Sequence, residues 1–105
     1  MEDNKNHDLG TIEKRILDSL EDNLAHTLGQ VKAFRRIAEE VTSTEREIRR
    51  HKAVAAQIDA ELKSSRSDTL QTELDGEKNR IHRLEQIHSA LVGDLSELAN
   101  ALHNA

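Results

Sequence analysis

Glu85 and His88 stand three residues apart in a stretch that reads as helix. On a helix this spacing turns a carboxylate and an imidazole to one side, and four-helix bundles hold iron with two such pairs and two further glutamates. That chemistry needs the groups on the buried face. Here Glu85 falls beside the apolar stripe rather than on it, and the opposing helix offers Glu45 only off its own stripe. The other histidines at positions 7, 26, 82 and 103 show no ligand spacing, and the chain has no cysteine. A Gly-rich phosphate loop is lacking, as is a nucleophile beside a base. The sequence therefore assigns no catalytic residue, no metal ligand and no cofactor, and the expected role is non-enzymatic.

The sharpest charge feature is EREIRRHK, residues 45–52, a basic belt of Arg46, Arg49, Arg50 and Lys52. Arginines and lysines at this density can contact nucleic acid phosphates. No aromatic residue interleaves them to stack on bases, and Glu39, Glu40, Glu45 and Glu47 break the positive field. A solvated face that attracts an acidic helical segment fits better. Nucleic acid binding is the runner-up reading.

Composition fixes the kind of element that must carry these groups. The chain has 105 residues, 33% charged and 35% hydrophobic, with net charge −5, no Pro, no Trp and no Tyr. Phe34 is its only aromatic residue. A globular core of this size draws on several aromatics, so the expectation is an elongated all-α protein burying one narrow stripe per helix. No apolar run approaches the ~18 residues of a membrane span, and the opening MEDNKNHD lacks a signal-peptide pattern. A soluble, cytoplasmic protein is expected. Charge is segregated along the chain: residues 1–31 carry three basic and seven acidic groups (net −4), residues 32–52 seven and four (+3), and residues 53–105 five and nine (−4). Alternating blocks of this kind suit pairing between segments or chains.

Periodicity places two helices. After a disordered lead over residues 1–10, one domain fills residues 11–105. Ile12, Ile16, Leu17, Leu20, Leu24 and Leu28 recur by threes and fours. From Phe34 a strict heptad follows, with Phe34, Val41, Ile48, Ala55 and Leu62 at one core position and Ile37, Thr44, His51 and Ile58 at the other. The two patterns do not share a phase, so a shift is expected near Leu28 and Gly29, as a stutter or a break. The capping-box letters at Thr42, Ser43 and Thr44 do not disturb the heptad, and the helix is expected to run through them. The small polar stretch SSRSDT makes a turn at about residues 64–68, with Asp68 as N-cap of the next helix. That helix carries Leu70, Leu74, Ile81, Leu84, His88, Leu91, Leu95, Leu98 and Leu102 on its stripe, with Glu77 the odd member.

Two heptad helices joined by so short a turn fold back as an antiparallel coiled coil. A turn centred near Arg66 pairs Leu62 with Leu70, Ile58 with Leu74, Ile48 with Leu84, Val41 with Leu91, Ile37 with Leu95 and Phe34 with Leu98. Each layer joins unlike heptad positions, as antiparallel coiled coils do. The same register sets Thr44 against His88 as a polar layer that fixes alignment, or as a pH switch if the imidazole titrates in the seam. His51 falls opposite Ile81 as a helix-edge residue reaching water.

The hairpin leaves Ile12, Ile16, Leu17, Leu20, Leu24 and Leu28 without an intrachain partner, and Ile87 and Val92 widen the second stripe. Either the chain breaks at Gly29 and folds a third helix back, or two hairpins assemble into a four-helix bundle. The absence of loop-forming residues around Gly29 favours the second. The expected function is a protein interaction or scaffold module whose partner is a second copy or another helical protein. A secretion or assembly chaperone is one form that such a module takes. The turn has no Trp-x-Gly and the helices no tryptophan, so neither the small secreted helical hairpins nor the spectrin-type repeats are matched.

Overall fold

The computed structural model describes residues 2–104 in backbone and residues 10–104 in side chains. The lead expected over residues 1–10 falls, but for Gly10, outside the fully described residues. Two helices account for the fold: α1, Glu2–Ser64, and α2, Asp68–His103. They pack as a hairpin measuring 96 × 17 × 15 Å, the thickness of two helices lying side by side.

α1 runs unbroken through both places where the sequence raises an interruption. At Gly29 the helix continues, and a Cβ added there would meet nothing within 4 Å. The three-helix alternative broken at Gly29 is thus not the fold of the chain. Glycine costs about 1 kcal/mol relative to alanine inside a helix. One such residue, with no proline near it, leaves the run of hydrogen bonds on either side intact. Across Thr42, Ser43 and Thr44 the heptad also passes without a turn. Thr42 Oγ1 donates to the Ala38 carbonyl at 3.1 Å, so its hydroxyl is satisfied four residues back instead of capping a new helix.

The connection is shorter than expected, only Ser65, Arg66 and Ser67. α1 ends with the Ser65 amide donating to the Glu61 carbonyl at 3.0 Å and Ser64 Oγ donating to the same oxygen at 3.1 Å. The N-cap of α2 is Ser67 rather than Asp68. Ser67 has an extended backbone (φ −143°, ψ 126°), and its hydroxyl accepts from the Leu70 amide at 3.3 Å. Asp68 instead occupies the first turn, where its charge faces the positive helix end.

The interior is a seam and not a core. Among the described residues only Ile58 (8% exposed), Leu74 (4%) and Glu77 (8%) are buried. Ile58 and Leu74 belong to one expected layer close to the turn. Phe34, Ile37, Val41, Thr44, Ile48, His51, Ala55 and Leu62 of α1 are half-buried, as are Leu70, Ile81, Leu84, His88, Leu91, Leu95, Leu98 and Leu102 of α2. Two helices cover each other along one line only, so every stripe residue keeps an open flank.

Thr27 and Gln30 are half-buried too, one heptad before Phe34 and Ile37, while Leu24, Leu28 and Val31 between and beside them are exposed. The phase shift is therefore real, but the helix does not break to make it. The apolar side chains change face on a continuous helix, and polar Thr27 and Gln30 take over the seam. Gln30 Oε1 is buried there without a hydrogen-bond partner. No helix among the described residues is long and apolar enough to cross a membrane.

Val41 and Leu91 lie in one expected layer near the middle of the seam. Val41→Asp and Leu91→Asp should each lower stability by about 2 to 3 kcal/mol, because each sets a carboxylate against aliphatic side chains. Thermal melts followed by circular dichroism measure this. A wild-type melting temperature in either variant means that the two residues do not share a seam.

Candidate interaction surface and the polar layers of the seam

Among the described residues, Glu77 is the one charged side chain that the hairpin buries. In the register its level on α1 is that of Ala55, and the small methyl leaves room for a carboxylate. From the next layer of α1, His51 Nδ1 lies 2.6 Å from Glu77 Oε2, and from the same helix Arg80 Nη1 donates to Glu77 Oε1 at 2.7 Å. Both carboxylate oxygens are thus used. His51 is not the water-facing edge residue expected from sequence; its side chain is 19% exposed and it crosses the seam. The imidazole hydrogen bond is the main reason that the Glu77 carboxyl is held below its ordinary value of 4.5, with the charges of His51 and Arg80 adding to it and partial desolvation opposing.

The polar layer at Thr44 and His88 also differs from expectation. His88 Nε2 lies 3.0 Å from Glu45 Oε1, beside Thr44, and its hydrogen bond goes to that carboxylate instead of the threonine hydroxyl. The alternative of a switch, which needs an unpaired imidazole in a dry layer, does not match this geometry.

Glu85, the other half of the E-x-x-H pair, is 3.4 Å from Lys52 Nζ, with both side chains about half exposed. Glu85 and His88 therefore engage two different α1 residues. Among the described residues no group of three or more His, Cys, Asp or Glu side chains is placed to hold a metal ion. Of the basic belt, Lys52 faces Glu85, while Arg46, Arg49 and Arg50 are exposed. Exposed ion pairs of the Lys52–Glu85 kind contribute roughly 0–1 kcal/mol, so they align the hairpin more than they stabilise it.

These bonds also identify the sides of the hairpin. Val31, Ala38, Glu45 and Lys52 follow one another at seven-residue steps along α1, as do Glu85, Val92 and Ala99 along α2. Lys52–Glu85 ties the two lines together, so Val92 (39% exposed) borders the same side as Val31 (37%) and Ala38. Ile87 lies on the other side, in a groove with Glu47, His51, Arg80 and Arg83. The sequence reading groups Ile87 with Val92; the structure puts them on opposite flanks.

Beyond the end of α2, α1 projects alone. Ile12, Ile16, Leu17, Leu20, Leu24 and Leu28 are all more than half exposed, Leu24 most of all at 69%. Leu17, Leu24, Val31 and Ala38 lie on one heptad line, so the bare apolar face continues onto the paired half of α1. There it meets a shallow depression lined by Arg35, Ala38, Glu39, Thr42, Ser43 and Arg46, all from α1. Comparison with protein families, curated proteins and solved structures finds no match to this chain.

Sequence set Glu77 on the stripe as its odd member and His51 at the helix edge, but did not pair them. The available signal was that Ala55, the smallest seam residue, stands level with Glu77.

Two outcomes are expected. A carboxyl whose folded pKa lies below its unfolded value stabilises the fold above the unfolded value, about 4.5, and that contribution disappears as pH falls through the folded value. The wild-type hairpin should exceed Glu77→Gln in melting temperature at pH 6 to 7, and the gap should close as pH falls below about 4.5. A gap that does not depend on pH would remove the charged carboxylate from the account. His88→Leu should raise stability by about 1 kcal/mol, since an aliphatic side chain fills a half-buried seam position; chemical denaturation checks it.

Proposed function

We propose that this protein is a non-enzymatic helical interaction module, a scaffold or adaptor that self-associates through the bare half of α1. One observation carries the reading: six large aliphatic side chains, from Ile12 to Leu28, are more than half exposed along a helix that its own partner does not reach. The apolar area is contiguous, and α2 ends at His103. Contiguous exposed apolar surface of this extent marks an interaction site in a soluble chain. The width of the hairpin supports the same reading, because each flank of the seam stays open to a further helix and the assembly that closes them is a helical bundle. A second copy is the partner, and four helices in the shared region is the simplest composition.

Sedimentation velocity over a range of concentrations tests the reading. The wild type should form dimers or larger species at micromolar concentration. Leu20→Asp with Leu24→Asp should return it to a monomer while leaving hairpin stability within about 0.5 kcal/mol, because these positions lie outside the seam. A wild type that stays monomeric at the highest concentration rules self-association out.

A further inference from the structure

Counted outward from Leu24, the exposed line along the bare half of α1 is symmetric. Leu20 and Leu28 stand four residues to either side, Leu17 and Val31 seven, and Glu13 and Arg35 eleven. All of these side chains are exposed, and among the described residues Leu24, at the centre, is the most open large aliphatic, at 69%. We propose that this line binds the same line of a second copy, with the two α1 helices antiparallel about a two-fold axis through Leu24. The proposal rests on the self-association reading above and adds its direction and its register.

A two-fold axis at Leu24 makes every layer complementary. Leu24 meets Leu24 of the second copy, Leu20 meets Leu28, and Leu17 meets Val31. Glu13 against Arg35 then closes the apolar run at each end. On the flank of the line, Glu21 faces Lys32 and Lys14 faces Glu39, at the same stagger relative to the layers at which Lys52 meets Glu85 across the hairpin. Charge decides the direction, as flanking ion pairs do in coiled coils. In a parallel two-fold pair each residue meets itself, which sets Glu13 against Glu13 and Arg35 against Arg35.

The line is also clear of α2. At about 100° per residue, Leu24, Leu28, Val31 and Arg35 centre roughly 110° around α1 from the half-buried Thr27, Gln30, Phe34 and Ile37 of the seam. A second helix therefore lies beside α1 without displacing α2. Steps of four, three and four residues make an eleven-residue period, which keeps the line nearly straight along α1, whereas the seven-residue seam winds away from it and takes the flank of Glu45 and Lys52 with it. The contact from Glu13 to Arg35 covers about 33 Å of helix and ends before that flank. Ile12 and Ile16 lie off the line, on the side turned toward the seam. In the dimer that is the side where α2 of the second copy ends, so all six bare aliphatic residues gain cover.

The chain has no cysteine, so single cysteines report contact by disulfide formation, which needs Cα atoms about 4–7 Å apart. Under mild oxidation Leu24→Cys should cross-link readily to its own copy. Leu20→Cys and Leu28→Cys should each cross-link about tenfold more slowly alone, yet rapidly when mixed, with a mass tag on one of them to identify the mixed product. Equal rates for the three single variants mean a parallel pair and overturn the proposal. So does a mixture that cross-links no faster than its components. Slow cross-linking throughout, in samples that sediment as dimers, means that another face associates; it overturns the proposal while self-association stands. A wild type that stays monomeric removes both. As a second readout, Arg35→Glu should weaken dimerisation several-fold at low salt, and adding Glu13→Arg should restore it, because the exchange rebuilds both ion pairs of the two-fold dimer. No weakening, or weakening without rescue, overturns the register.

Discussion

Two helices can share a seam only for as long as their apolar residues keep the same seven-residue phase. Everything in this structure follows from where that phase holds and where it lapses. In α1 it holds from Thr27 to Leu62, and in α2 from Leu70 to Leu102. A three-residue turn then leaves no choice but an antiparallel hairpin. Before Thr27 the large aliphatic side chains follow a different face, so even a longer α2 would not cover them along the same line. The length mismatch between 63 and 36 residues and the change of face act together to leave the arm bare.

A seam of two helices is thin, and its thinness explains which polar residues it holds. Where Ile58 and Leu74 are buried, a neighbouring charge needs partners, and Glu77 has His51 on one oxygen and Arg80 on the other. Further along, at the level of Thr44, the flank is open enough for His88 to reach out to Glu45 at the rim. Glu77 and His88 thus differ in depth. The first is buried with a partner on each oxygen; the second is half-exposed and reaches a carboxylate at the rim.

The same geometry separates stabilisation from recognition. Seam residues are occupied within the chain, and the surface ion pairs mainly align the two helices. The large aliphatic side chains from Ile12 to Leu28 are left uncovered by α2. One set of side chains on α1 thus forms the hairpin, and a second set on the same continuous helix stays exposed.

Much of the fold was legible in the residues themselves. Proline is absent, the heptad passes through Thr42 to Thr44, and small polar residues cluster at the turn, so two long helices packed as a hairpin could be read from spacing alone. The bare arm could be read the same way, because amphipathic period is a property of sequence. What sequence could not settle was the conformation of single polar residues, because competing hydrogen bonds differ there by little. Ser67 rather than Asp68 caps α2, His51 crosses to Glu77 instead of turning to water, and His88 takes Glu45 over Thr44. Continuity at Gly29 belongs with these, since a cost of about 1 kcal/mol leaves a helix free to continue or to end. Spacing along the chain determined which faces are apolar and which helices pair. Only the three-dimensional packing, which sets depth and flank for each side chain, decided which polar groups meet and on which side of the hairpin each exposed residue lies.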